Sequence, residues 1–342
     1  MQNITTRDKV LATLKEQWEV PTPREEGRRV DSGQVETLAR QALDIMLTRP
    51  FRVGKFPAGE DYDQILSRVR YWMTRGKSIR ITMGYAPMKN PRNVPYWHAD
   101  WAEFFALGHL CAWHNKVCAV YPPGLRIKII FDDATAAMAN RVDPRIMTGY
   151  IRSVGRLIRR MGYQSFIVGT MRQSWFAWLF HFGPYQFARP RVRRWEADPA
   201  NQPVMETMAE FARRNLDLPE DLATEEKERR CREASHRFRV YWEALQLSGF
   251  SRLGHSLVGM YLDGSQHHIR QTAALHLRVY KDQLTQPWQG EGVLADNGHG
   301  LLLPLVLTPS RRERMVTEQY DGLELVPLEG FDHISVCREV KE

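Results

Sequence analysis

Cysteine is scarce in this chain. Four residues, Cys111, Cys118, Cys231 and Cys337, occur among 342. None stands in a Cys-x-x-Cys pair or a regular spacing. This argues against a disulfide framework, and reduced thiols are expected, as in a cytoplasmic protein. Long apolar runs are missing too. The longest, residues 175–182, is eight residues, whereas a bilayer span needs about 20. It is expected in a core rather than in a membrane. The start, Met1-Gln2-Asn3-Ile4-Thr5-Thr6-Arg7-Asp8, has no apolar stretch of the signal-peptide kind. No internal repeat or low-complexity tract occurs.

Several motifs are absent. Gly76-Lys77-Ser78 resembles the end of a phosphate-binding P-loop, but Tyr71 stands where that motif needs glycine. The triplet also precedes an expected strand instead of opening a helix. No G-x-G-x-x-G follows an expected strand, so a nicotinamide cofactor has no support. H-E-x-x-H and G-x-S-x-G do not occur. His98, Asp100 and Glu103 have generic spacing for a metal and read as ordinary polar or capping residues. No helix-turn-helix, zinc-finger or RNP signature accompanies Trp175, Trp178, Tyr185 and Trp195, so nucleic acid is not favoured as a partner.

What is present describes a globular protein. Apolar residues make up 43% and charged residues 26%, enough for a core without staples. The net charge of +8 favours anionic partners. Basic runs at 189–194 and 311–314 sit beside turn-like prolines and read as solvated faces, with an anion-binding patch as the other reading. Helical periodicity begins at residue 32, where Ser32 is the expected cap, and recurs over 61–75 until Gly76 ends it. Strand 79–83, helix 100–117 and strand 127–131 then form a βαβ unit, and helix 144–161 leads to strand 165–168. This rhythm predicts an α/β fold, Rossmann-like, with a mostly parallel sheet covered by helices on both faces and a smaller α+β C-terminal part. The expected divisions are an N-terminal extension (1–31), the Rossmann-like domain (32–198), a charged helical segment (199–248) and a β-rich part completing the active site (249–342).

Ligands of such sheets bind beyond the carboxyl ends of the strands. Two loops fall there. Lys89 follows the first strand and Asp132 ends the second. A lysine in that place can hold phosphate as a point charge, or form a Schiff base if its pKa falls. Asp132 can hold an amine or act as general base. The two can equally be a surface pair between plain turns. Arg126 and Lys128 alternate with Ile127 and Ile129 and read either as anion contacts or as edge-strand surface.

These segments carry a resemblance. Gly84, Pro87-Met88-Lys89-Asn90 with Asn93, and Tyr121-Pro122-Pro123-Gly124-Leu125-Arg126-Ile127-Lys128-Ile129 ending in Phe131-Asp132-Asp133, are similar to motifs of the pyoverdine/dityrosine biosynthesis family. Its best-understood members are isocyanide (isonitrile) synthases. Gly76-Lys77-Ser78-Ile79 and Thr285-Gln286-Pro287-Trp288-Gln289-Gly290 add looser matches. The family has serine where this chain has Phe131 and Asn90, glycine at Asp133 and histidine at Gln289. The resemblance implies a Rossmann-like fold and an enzyme joining the α-amine of a free amino acid to ribulose 5-phosphate, with no cofactor or metal. An iron/2-oxoglutarate oxygenase is the implied downstream partner in the pathway. It implies Lys89 and Asp132 as catalytic residues, with Asn90, Asn93, Tyr121, Arg126, Lys128, Phe131, Asp133 and Trp288 contacting substrate. Lys89→Met is expected to abolish turnover at near-normal stability. The departures keep open another amine–carbonyl condensation or N-modification, and a non-catalytic anion- or nucleic-acid-binding protein is the remaining alternative.

Overall fold

The structure is a computed structural model. It describes residues 6–27, 30–52, 57, 59–90, 94, 96–176, 183–216, 218–219, 221–247, 257–260, 274–276, 287–296, 302–307, 320–328 and 331–339. Three helices lead in: α1 (Thr6–Gln17), α2 (Ser32–Met46) and α3 (Glu60–Met73). Asp31, not Ser32, precedes α2 as its cap, with its carboxylate accepting from the Gly33 amide. The βαβ series follows as β1 (Ile79–Tyr85), α4 (Trp101–Cys118), β2 (Leu125–Phe131), α5 (Asp133–Asn140), α6 (Pro144–Arg160) and β3 (Ile167–Arg172). The basic run at 189–194 falls inside a helix, α7 (Pro184–Glu196), with Pro190 within it. Then come α8 (Gln202–Asn215) and α9 (Thr224–Leu247).

Strands β4 (Leu257–Met260) and β5 (Ala274–His276) return to the first sheet. Its order is β3-β2-β1-β4-β5 and every pairing is parallel. The chain moves outward from β1 to β3 and then crosses back to β4. The junction of β1 and β4 is therefore the topological switch point, where α/β sheets open a ligand crevice. The other strands, β6 (Glu291–Asp296), β7 (Leu302–Leu307), β8 (Tyr320–Leu328) and β9 (Phe331–Glu339), form a separate mixed sheet of order β7-β6-β9-β8. The fold is thus Rossmann-like α/β with a smaller β-rich part.

Alternation sets the two faces of the parallel sheet. Ile79, Ile81, Met83 and Tyr85 on β1, and Leu125, Ile127, Ile129 and Phe131 on β2, are buried in one large core with Leu43, Val69, Leu107, Leu110, Tyr150 and Val154 from α2, α3, α4 and α6. Helix α4 is buried on nearly every side. It lies between the sheets, touching β2 on one side and β6 and β7 on the other, so an amphipathic pattern is neither needed nor present.

The opposite face differs from the expectation. Arg80, Thr82, Arg126 and Ile130 are only half-buried, and Gly84 and Lys128 are exposed. The reason lies in the return connection. Right-handed crossovers put α4 and α6 on one face, and the reversed path to β4 should put its helices on the other. Instead α9 packs on α7, α8 and α5. The run expected in the core is only partly described: Trp175 is exposed, and residues 177–182 lie outside the described residues. Cys111, Cys118 and Cys231 are free thiols, and among the described residues no helix is long and apolar enough to cross a membrane.

Candidate active site

The carboxyl ends of β1 and β2 meet on one side of β1, and the switch point lies on its other side, toward β4. Tyr85 and Phe131 are register partners, and their rings pack edge to face at 5.6 Å. The Asp132 amide donates to the Tyr85 carbonyl at 3.0 Å, which stitches the two strand ends together. Trp288, from the turn before β6, stands against Tyr85 at 4.8 Å. Asp132 is half-buried and opens α5. These residues form an aromatic wall beside one carboxylate.

Lys89 is buried beside these aromatics, among oxygens of α4 and of the Pro287–Gly290 turn. Its ammonium lies 2.9 Å from Asp100 Oδ1 and 2.9 Å from Glu103 Oε2. It also donates to the carbonyls of Pro287 at 2.8 Å and Gly290 at 3.1 Å. An ammonium has three protons, and four oxygens already share them. The side chain is 1% exposed. Burial alone would lower the ammonium's pKa, but the charges of Asp100 and Glu103 outweigh it and raise the value. That is the opposite of what a Schiff-base lysine requires.

The carboxylates of this cluster are placed by local sequence. Asp100 and Glu103 form a capping box at the start of α4: Asp100 Oδ1 accepts from the Ala102 amide at 2.7 Å, and the Asp100 amide donates to Glu103 Oε2 at 2.8 Å. The capping reading of these residues therefore holds. Tyr150 of α6 donates to Glu103 Oε1 at 2.8 Å. Burial, helped by the adjacent Asp100 charge, pushes the Glu103 carboxyl up to about 8 against the pull of Lys89.

The cluster also ties the two sheets together. Asp100 Oδ2 accepts from the Gly292 amide of β6 at 3.0 Å. The Tyr96 hydroxyl lies 3.2 Å from that same oxygen and 3.0 Å from Glu291 Oε1, which also accepts from Ser335 of β9 at 2.9 Å. Gly292 has no room for a side chain, because a Cβ would run into the backbone of Trp101 and Ala102. Nothing in the local sequence around Lys89 points to this partnership, because β6 is about two hundred positions away.

The other expected site residues divide. Asn90 is buried, and its amide donates to the Trp288 carbonyl at 2.7 Å, so Lys89 and Asn90 together pin the Pro287–Gly290 turn. Phe131 is fully buried. Asp133 is buried and accepts from the Ser174 amide at 2.9 Å and the Ser174 hydroxyl at 2.5 Å. Tyr121 falls at the other edge of the sheet: it precedes β2, and its hydroxyl donates to the Lys77 carbonyl just before β1 at 2.9 Å. Asn93 lies outside the described residues. Arg126 and Lys128 stand on the open face of β2, an interior strand between β1 and β3, not an edge. The structure thus gathers Asp132, Phe131 and Trp288 in one place, with Lys89 and Asn90 buried beside them. Tyr85, Tyr96, Asp100, Glu103 and Glu291 complete the arrangement. Of these, only the Asp-x-x-Glu spacing carried a local signal. Among the described residues, no group of three or more His, Cys, Asp or Glu side chains is placed to hold a metal ion.

No family model and no curated protein matches the sequence. Solved structures do match. The PvcA protein from Pseudomonas aeruginosa is similar with a TM-score of 0.68 at 16% identity, over 88% of this chain and 99% of that one. Tyrosyl-tRNA synthetase from Archaeoglobus fulgidus, complexed with L-tyrosine, has a TM-score of 0.34 at 13% identity, over 86% of this chain and 78% of its own. Tryptophanyl-tRNA synthetase from Aeropyrum pernix has 0.37 at 13%, over 84% and 69%. Those two scores are too low to carry an argument. The likeness to PvcA shows that the chain shares that protein's fold over nearly its whole length.

Proposed function

We propose that this chain is a biosynthetic enzyme of the isonitrile-synthase type, which condenses the α-amine of a free amino acid with the ketone of ribulose 5-phosphate. One observation carries this reading. The two segments that resemble the pyoverdine/dityrosine family, 84–90 and 121–133, run as adjacent parallel strands and their edge loops. Their ends meet at Asp132, in a chain that shares the fold of PvcA.

Asp132 takes the proton from the amino acid's ammonium and so frees the nitrogen lone pair. The amine adds to the C2 ketone of the sugar, and loss of water gives the imine. Trp288, partly buried against Tyr85, supplies the apolar surface beside that step. Lys89 is a positioning residue in this scheme: it holds the Pro287–Gly290 turn, and thereby Trp288, against Tyr85.

The experiment is incubation of the full chain with ribulose 5-phosphate and a panel of amino acids, followed by mass spectrometry. The expected product carries one additional carbon, taken from C2 of the sugar, and has lost the amine hydrogens. Labelling C2 with carbon-13 marks that carbon. An imine-derived product that retains the whole sugar points to a different condensation on the same fold. No consumption of any amino acid rejects the reading.

A further inference from the structure

Positive charge is unevenly spread along this chain. Between Asp143 and Glu196 the sequence has ten arginines, no lysine and no acidic residue. The whole chain carries only +8, so the remainder has slightly more acid than base. Half of those arginines belong to α6. Arg145, Arg152, Arg156, Arg159 and Arg160 are all exposed. Arg145, Gly149, Arg152, Arg156 and Arg159 follow at intervals of four, three, four and three, which sets them in one line along the helix. The line is about 21 Å long. Met147, Ile151, Val154 and Ile158 form the opposite line and are buried in the core. Asp143, the acid just ahead of the row, caps the helix and accepts from the Arg145 amide at 2.8 Å. Arg145, Arg152 and Arg159 form no ion pair among the described residues.

Two features of this row are unfavourable in the protein by itself. Like charges three and four positions apart on a helix repel. Glycine inside a helix is less stable than alanine, and the fold does not require it at 149. That position is exposed, and a Cβ there would meet nothing within 4 Å. An acidic helix laid along the row answers both. Carboxylates at the same three-and-four spacing neutralise the guanidinium groups. The partner's backbone approaches closely where Gly149 leaves the surface bare.

We propose that the exposed face of α6 docks an acidic α-helix of a different protein. A second copy of this chain does not supply the complement. Its described helices with more than one acid, α1, α2, α3, α8 and α9, all carry basic residues among them. Nucleic acid is not favoured, because stacking on bases needs exposed aromatics, and Tyr150, the one aromatic of α6, is buried against Glu103. A bilayer surface fits no better, since an interfacial helix turns its apolar side to the lipid and that of α6 lies in the core. A face of four turns is small, so the complex is weak, transient and sensitive to salt. The inference goes beyond the chemistry proposed above, in which no residue of this face takes part.

The test is fluorescence anisotropy on the full chain with two labelled peptides. One is an alanine-based helix with glutamates in a line at three-and-four spacing. The other has the same composition with the glutamates spread around the helix. Single-stranded DNA and phosphatidylglycerol vesicles are the competing probes. The lined peptide should bind in the micromolar range at low salt and weaken by roughly tenfold at physiological salt. Replacing Arg152→Gln and Arg159→Gln together should weaken it by roughly tenfold. Gly149→Leu should weaken it to a similar degree while melting no lower than the wild type, because leucine is the better helix former and has open space there. No binding of the lined peptide, or equal binding of both peptides, overturns the proposal. Normal peptide binding by Gly149→Leu does the same, since it leaves only diffuse attraction to a basic surface. DNA or vesicle binding tighter than that of the lined peptide also overturns it.

Discussion

Two groups of cations in this protein make an instructive contrast. Lys89 is 1% exposed and enclosed by two carboxylates and two carbonyls. Arg126 and Lys128 stand on an open sheet face with no acid beside them among the described residues. Both follow from the same βαβ unit, and both were candidates for phosphate contact. Their surroundings separate them. A lysine whose protons are all engaged in the interior is part of the framework. Cations that a fold leaves unpaired on an interior strand are the ones still able to take a ligand.

The largest test of this contrast is Lys89→Met. Removing the ammonium leaves the buried Asp100 carboxylate without its counter-charge beside Glu103. Breaking one side of a buried pair costs about 3–5 kcal/mol, so the variant should melt at markedly lower temperature or fail to fold. This replaces the expectation of near-normal stability. A Lys89→Met protein that melts like the wild type yet has no activity would return Lys89 to the chemistry.

Gly292→Ala probes the same cluster from the second sheet. The added methyl meets the backbone of Trp101 and Ala102, so β6 must move away from Asp100. Overpacking of this kind costs about 1–3 kcal/mol, measurable by urea denaturation. A neutral result would mean that the two sheets are not locked together at this point.

Glu103→Gln sharpens the picture through pH. The Glu103 carboxyl titrates at about 8 when folded and near its usual 4.5 when unfolded. Between those values the folded state holds a proton that the unfolded state has lost, so stability falls as pH rises from about 4.5 through about 8. Glutamine cannot ionise, and the variant's stability should be flatter across that window. Parallel wild-type and variant profiles would show that Glu103 is ionised throughout.

The smallest effect is expected at Arg229, on the solvated side of α9. It pairs with Glu226 and Glu233 within its own helix, and exposed pairs of this type contribute little. Arg229→Gln should leave the melting temperature unchanged. A clear drop would show that exposed charge matters here as much as buried charge, which would weaken the distinction drawn between the two cation groups.

Part of this was legible beforehand. The alternation in residues 79–83 and 125–131 marked two strands, the glycine at 76 marked a helix end, and the proline-rich entry at 121–124 marked a turn. Each signal is local, because backbone geometry and periodicity act over a few residues. Asp132 at the end of a strand was legible for the same reason. The placement of Tyr121 was not: its distance from Phe131 along the strand puts it at the opposite edge. The helix containing Pro190 was also missed, because packing of Ala188 and Val192 against Val240 and Ala244 of α9 overrides the local preference.

The amino-acid order by itself determined the α/β class, the strand faces and the Asp-x-x-Glu cap of α4, since all three depend on neighbours within a turn or a pleat. Only the tertiary structure decided that Lys89 is sealed and that Arg126 and Lys128 are open. The first depends on a turn some 198 residues further along the chain, and the second on where α7, α8 and α9 come to rest. Desolvation is a property of what surrounds a charge, and what surrounds these charges comes from distant parts of the chain.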